Sequence, residues 1–218
     1  CDLCEWSLQT GARFVYASSA ATYGDGSKGY SDSDSVTPTL EPLNLYGKSK
    51  QWFDLWAMGN GALKKIAGLK YFNVYGPGED HKGEMRSVVN KAYSQVLRDR
   101  KITLFRSHRP DYNDGGQDRD FVFVEDAVAV SLFLYDNPHI SGLFNCGVGR
   151  ARTWIDLARA LFTAAGIPPK IEFIDMPESI RDKYQYHTCA EMEKLRKAGY
   201  SAPFVEIEEG VGRYVRDY

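Results

Sequence analysis

Tyr46 and Lys50 stand four residues apart in Tyr46-Gly47-Lys48-Ser49-Lys50, at the start of an expected helix. That spacing puts both side chains on one helical face, so the ammonium can lower the pKa of the phenol by proximity. A phenol tuned toward neutrality can pass a proton to or from an alcohol; taken alone, the pair reads equally well as an exposed helix turn. Ser18 and Ser19 follow the apolar run Phe14-Val15-Tyr16-Ala17, which suits a buried strand. In open parallel sheets ligands sit beyond the carboxyl ends of the strands, where a serine hydroxyl can meet a reacting oxygen. The alternative is a serine that caps the next helix or turn. Tyr71-Phe72-Asn73-Val74-Tyr75-Gly76-Pro77-Gly78 reads as a further strand exit with a turn.

Three other patterns carry less. Gly24-Asp25-Gly26-Ser27-Lys28-Gly29 matches G-x-G-x-x-G letter for letter. A phosphate-binding glycine turn joins a strand to a helix, whereas Tyr30-Ser31-Asp32-Ser33-Asp34-Ser35 is loop-like and acidic, so a surface loop is expected. Asp32 and Asp34 lack the glycine and distal glutamate of a calcium loop and read as solvated turn residues. Cys1, Cys4, Cys146 and Cys189 form only one C-x-x-C and lack suitably spaced histidines, which points to reduced thiols and no metal.

The elements that must position these residues alternate between helix and strand. The first ten residues read as the end of a helix stopped by Gly11, and residues 24 to 42 as a long loop. Helices are expected near 45–58, 87–97, 126–135, 154–162, 190–197 and 205–214. Strands are expected at 14–17, 66–72, 102–105, 121–124, 143–146 and 171–174, with a polar loop over 107–119. The expected fold class is α/β, a Rossmann-like parallel sheet with a smaller α/β C-terminal part. Residues 1–78 would be the remainder of the Rossmann-type domain and 79–218 mostly the substrate-binding part, with segments near 121–146 returning to the first. The 27 basic and 29 acidic side chains nearly balance and form no basic patch, which argues against nucleic acid. No apolar stretch approaches the ~20 residues of a membrane span, so a cytoplasmic protein is expected.

Three motifs in register carry a resemblance: Ala17-Ser18-Ser19-Ala20-Ala21-Thr22-Tyr23-Gly24, Tyr46-x-x-x-Lys50 after Pro42-Leu43-Asn44, and Tyr71-Phe72-Asn73-Val74-Tyr75-Gly76-Pro77. Together they resemble the extended short-chain dehydrogenases/reductases of the NAD-dependent epimerase/dehydratase family, which act on nucleotide sugars. His81-Lys82-Gly83, the stretch from Leu104 to Tyr112, Arg119-Asp120-Phe121-Val122 and Asp182-Lys183-Tyr184-Gln185-Tyr186 are similar to the branch that inverts C6 of an ADP-linked heptose.

The resemblance implies tightly held NADP, with NAD as the alternative, and an ADP-heptose or related nucleotide sugar oxidised at C6 to a transient ketone and reduced from the opposite face. By position it makes Tyr46 one acid/base and Lys82 the other. It has Lys50 hold the nicotinamide ribose and Ser19 bond the reacting oxygen, and it puts Val74 at the cofactor. Asn73, Glu84, Lys91, Phe105, Arg106, Ser107, His108, Arg119 and Tyr184 fall where the family contacts substrate or cofactor; Glu84 replaces a small polar residue found in some members. Arginine suits a diphosphate through its two-pronged donor geometry, which makes Arg106, Arg109 and Arg119 candidates. A lysine serves as a neutral base only where burial or a nearby cation depresses its pKa; otherwise Lys82 is a solvated loop cation. Relatives are commonly oligomers, so a homo-oligomer is expected of the intact protein.

Family members carry a dinucleotide-binding half, built of units of roughly 30 residues, at their N-terminus. No strand, glycine-rich turn and helix precede Ser18 here. The chain is therefore expected to be a C-terminal portion, with an exposed sheet edge and poor cofactor binding and turnover by itself. Two other readings stand beside the C6 epimerase. One is another epimerase or dehydratase, such as a 4-epimerase, which needs Ser19, Tyr46 and Lys50 but not Lys82. The other is a non-catalytic sugar-nucleotide binding module.

Overall fold

The computed structural model describes residues 1–181 and 184–217. Helix α1 (Asp2–Thr10) ends at Gly11, whose left-handed φ of 74° favours glycine. Strand β1 (Val15–Ser19) leads through a 3-10 turn at Ala20–Tyr23 into the long loop, and α2 spans Leu45–Gly59. Strands β2 (Ala67–Tyr71) and β3 (Asn73–Tyr75) precede α3 (Val88–Asp99) and β4 (Ile102–Phe105). Then come β5 (Asp118–Phe123), α4 (Val124–Asp136), β6 (Gly142–Cys146), β7 (Ala151–Thr153) and α5 (Trp154–Ala165). Strand β8 (Ile171–Ile174) and the helices α6 (Glu178–Arg181), α7 (Glu193–Lys197) and α8 (Ile207–Asp217) complete the described chain. No helix among the described residues is long and apolar enough to cross a membrane.

The first sheet has the order β1-β2-β6, all parallel, with Ser19 opposite Tyr71 and Tyr71 opposite Cys146. One face packs on α1 and α2 through Cys4, Ala57, Leu63 and Leu143; the other packs on α4 through Leu69, Val130, Leu134 and Phe144. A second sheet, β3-β5-β7, is parallel between β3 and β5 and antiparallel between β5 and β7. It is buried under α3, α5 and α8, and β4 with β8 forms a parallel pair beside it. Helix α5 begins on a reciprocal capping box between Thr153 and Asp156, which satisfies two end amides at once.

Three expectations need correcting. Residues 73–75 form a strand and not a turn, because Asn73 to Tyr75 find a partner in β5 that local composition does not reveal. Strand β7 lies inside what reads as a connection, and it is short and polar because it pairs only with the first residues of β5. Asp32 is buried, not solvated: its Oδ2 accepts the Asn145 amide on the free edge of β6 at 2.7 Å. An edge amide inside the molecule requires an acceptor, and the loop supplies one. Asp34 is exposed and pairs with Lys194 at 3.0 Å.

Asp120 joins β5 to two loops by accepting from the amides of Val148, Gly149 and Ala190 at 2.6 to 2.9 Å. Burial, outweighing these three bonds, pushes its carboxyl up to about 6. A carboxyl raised above its unfolded value of about 3.9 binds a proton first in the folded chain, so this group's contribution to stability grows as pH falls from about 6 toward about 4. Unfolding of wild type and Asp120→Asn is therefore expected to differ more in favour of wild type at pH 4.5 than at pH 7, by about 2 kcal/mol. A difference independent of pH would contradict this.

Candidate functional site

Asn44 starts α2 by accepting the Gly47 amide on its side chain at 2.8 Å. Gly47 itself is required by proximity: a Cβ there would stand 2.7 Å from the Ala21 carbonyl oxygen and 2.9 Å from Pro42 Cβ. Its absence lets the first turn of α2 press against the 3-10 turn that follows Ser19. Tyr46 consequently sits half-exposed beside the carboxyl end of β1. Lys50 donates to the Ala17 carbonyl at 2.8 Å, with its ammonium 5.8 Å from the centre of the Tyr46 ring. Ser19 caps the 3-10 turn and accepts from the Ala21 amide at 3.1 Å. The capping role and a site role coincide, since accepting leaves the hydroxyl hydrogen able to donate.

Across the cleft, Arg119 is buried between the Trp154 and Tyr184 rings, its guanidinium carbon 5.4 and 5.2 Å from their centres. It donates to the carbonyls of Asp118 and Gln185. Burial lowers its pKa, but an arginine remains charged near neutrality. Tyr184 accepts from Trp154 Nε1 at 2.9 Å, and burial raises its phenol, which stays neutral with its own hydrogen to offer. Arg119, Tyr184 and Gln185 line one cleft of about 170 Å³ with Ala21, Gly24, Leu43 and Asn44. The Gln185 side-chain amide donates to the Gly24 carbonyl across it. A fixed guanidinium thus faces the segments that carry Ser19 and Tyr46.

Beside this lies a second cavity of about 350 Å³, largely apolar, formed by Val88, Leu104, Phe105, Trp154, Ile174 and Tyr184 among others. Phe105 meets Tyr184 edge-on at 6.4 Å. His108 is bonded through Nδ1 to the Tyr186 hydroxyl at 2.8 Å, which Ser107 also approaches at 3.3 Å.

Other expected residues are already partnered within the chain. Arg106 pairs with Asp114 and Asp175 and Arg109 with Asp111, all exposed, which leaves Arg119 as the buried guanidinium of the three. Glu84 and Lys91 pair with each other at 3.1 Å. Asn73 and Val74 lie on β3, just beyond the end of the β2 strand that neighbours Ser19. Lys82 is half-exposed, 3.7 Å from the buried Glu79, so its surroundings are a carboxylate and solvent and not the burial or neighbouring cation looked for in the sequence. It makes no hydrogen bond or ion pair with Tyr46 among the described residues. Asp182 and Lys183 lie outside the described residues.

Sequence reasoning missed Asn44, Trp154 and Gln185, along with a buried Asp54–Lys70 pair behind the site. A lysine inside the apolar run of β2 was the signal available for that pair, because lysines are almost never fully buried unless paired. The Gly24, Gly26 and Gly29 segment forms turns that no helix follows, so its glycines supply positive φ and not a phosphate cradle. The four cysteines are free, and no group of three or more metal-binding side chains occurs among the described residues.

Comparison with known proteins gives a consistent result. The family model described as "NAD dependent epimerase/dehydratase family" matches residues 1–147. A protein of Nitratidesulfovibrio vulgaris named ADP-L-glycero-D-manno-heptose-6-epimerase is 58% identical over 216 residues, covering 99% of this chain and 67% of its own length. A Fusobacterium nucleatum protein of the same name is 43% identical, covering 94% and 65%. Among solved structures, the Helicobacter pylori ADP-L-glycero-D-manno-heptose-6-epimerase superposes with a TM-score of 0.79 at 28% identity, covering 99% of this chain and 62% of that one. Thermus thermophilus UDP-glucose 4-epimerase in complex with NAD gives 0.78 at 28%, covering 98% and 66%. The chain thus spans about two thirds of the length of the relatives it matches.

Proposed function

Because the chain belongs to the NAD-dependent epimerase/dehydratase family, we propose that it carries the catalytic and sugar-binding machinery of an ADP-heptose 6-epimerase, converting ADP-D-glycero-D-manno-heptose to the L-glycero form. The observation that carries this is the cleft in which Arg119 and Tyr184 face the segments bearing Ser19 and Tyr46. The similarity to proteins named as heptose epimerases supports the choice of sugar.

A nicotinamide dinucleotide, which we take to be NADP, supplies the oxidation at the sugar carbon and its reversal when bound. The Tyr46 hydroxyl and Lys50 ammonium, side by side and accessible, suit the hydroxyls of its nicotinamide ribose, with Val74 nearby on β3. No strand, glycine turn and helix for its phosphates occurs among the described residues. Tyr46 takes the proton of the sugar hydroxyl as the ketone forms, with Ser19 donating to the same oxygen, and gives one back only when the reaction runs in reverse. Inversion presents the oxygen on two sides, and Lys82 handles the proton on the second. Arg119 grips the diphosphate while Tyr184 donates to it, and the apolar cavity beside Phe105 receives the adenine.

The half-exposed setting of Lys82 gives a second reading some weight: a 4-epimerase would employ Ser19, Tyr46 and Lys50 alone. Offering the intact, cofactor-loaded protein the ADP-heptose and UDP-hexose substrates side by side separates the two, with turnover of the heptose alone expected. Arg119→Lys keeps the charge but loses the planar fork, so KM for the nucleotide sugar should rise about tenfold or more with kcat changed far less. An unchanged KM would remove Arg119 from the diphosphate site.

A further inference from the structure

Asp54 and Lys70 are both completely buried and meet at 2.9 Å. Asp54 lies on α2, one turn beyond Lys50 and two beyond Tyr46; Lys70 lies in the middle strand β2. Further bonds hold both charged groups. Asp54 accepts from Ser18 Oγ at 2.6 Å and from the Tyr16 hydroxyl at 2.9 Å. Lys70 also donates to Thr22 Oγ1 at 2.8 Å and stands 5.2 Å from the centre of the Tyr23 ring. Thr22 in turn donates to the Ser19 carbonyl at 2.8 Å.

The network therefore joins the helix of Tyr46 and Lys50, the strand of Ser19 and the turn after it, all referred to β2. Neither charge can reach a substrate. A buried ion pair is a weak source of net stability compared with apolar packing of the same volume, because desolvation offsets the attraction. It does fix geometry, since its bonds are directional and leaving one partner alone is costly.

We propose that Asp54 and Lys70 are positioning residues, which set the first turns of α2 against Ser19 so that the phenol, ammonium and hydroxyl meet one sugar oxygen. The proposal rests on the reading of Tyr46, Lys50 and Ser19 as the reacting site. Displacement of reacting groups by about 1 Å can cost on the order of a hundredfold in rate. Lys70→Met in the intact, cofactor-loaded protein should lower kcat about tenfold or more with KM for the nucleotide sugar within about threefold, and Lys70→Arg should recover most of the rate because the ion pair persists. Amide exchange over residues 45–50 should quicken about tenfold while that of β6 stays unchanged. If Lys70→Met does not fold, Ser18→Ala removes only the 2.6 Å bond and should show the same pattern more weakly. A folded variant with wild-type kcat and wild-type exchange over 45–50 overturns the proposal, as does a rate loss that arginine fails to recover. If the wild-type protein turns over no nucleotide sugar, the epimerase reading fails and exchange alone decides: quickening confined to 45–50 supports the positioning role, and no quickening overturns it.

Discussion

Tyr46→Phe is expected to abolish most turnover, lowering kcat by about 10²–10⁴ in the intact, cofactor-loaded protein, while thermal unfolding stays within about 0.5 kcal/mol of wild type. The two halves of this expectation have different origins. Tyr46 is half-exposed on the first turn of α2, and its hydroxyl makes no hydrogen bond among the described residues, so deleting one oxygen costs the fold little. The same oxygen is the proton carrier of the proposed reaction, next to the Lys50 ammonium that the Ala17 carbonyl holds in place. KM for the nucleotide sugar should change little, because Arg119, Tyr184 and the cavity beside Phe105 remain. Parallel loss of rate and of folded protein would show Tyr46 to be structural; an unchanged rate would remove it from the chemistry.

Lys82→Ala should lower kcat by about a hundredfold and leave stability nearly untouched. Its bond to Glu79 is long, at 3.7 Å, and half-exposed, and such pairs contribute about 0–1 kcal/mol. Glu79 does not depend on Lys82 for its position, since it also accepts the Ser87 amide at 2.8 Å and the Gly76 amide at 3.4 Å. The loss of rate thus isolates the second proton-handling group that inversion from two sides demands. An Ala variant within twofold of wild type would refute the two-base reading and favour an epimerase that relies on Tyr46 alone.

Much of the scaffold was legible because its signals are local. Gly11 ends α1, the spacing of Trp154, Leu157, Ala158 and Leu161 defines the buried face of α5, and the short stretch from Leu143 to Cys146 falls within a strand buried along its whole length. Tyr46 and Lys50 were readable for the same reason, being neighbours on one helix. What escaped depends on partners distant in sequence. Asp32 looks like solvated turn chemistry until Asn145, 113 residues away, presents an amide to it. Arg106, Arg109 and Arg119 are equivalent as letters, and only the folded chain gives the first two carboxylate partners and buries the third between aromatic rings. Strand β3 needed β5 to exist, and the Asp54–Lys70 pair joins a helix to a strand across the core.

The most direct test of the account follows C6 of the sugar by NMR in D2O, starting separately from each ADP-heptose epimer with the intact, cofactor-loaded protein. Oxidation to a ketone with return of the same hydrogen predicts that both samples reach one mixture of the two epimers and that C6 keeps protium throughout. Deuterium at C6, inversion at another carbon, or two unchanged samples would contradict it.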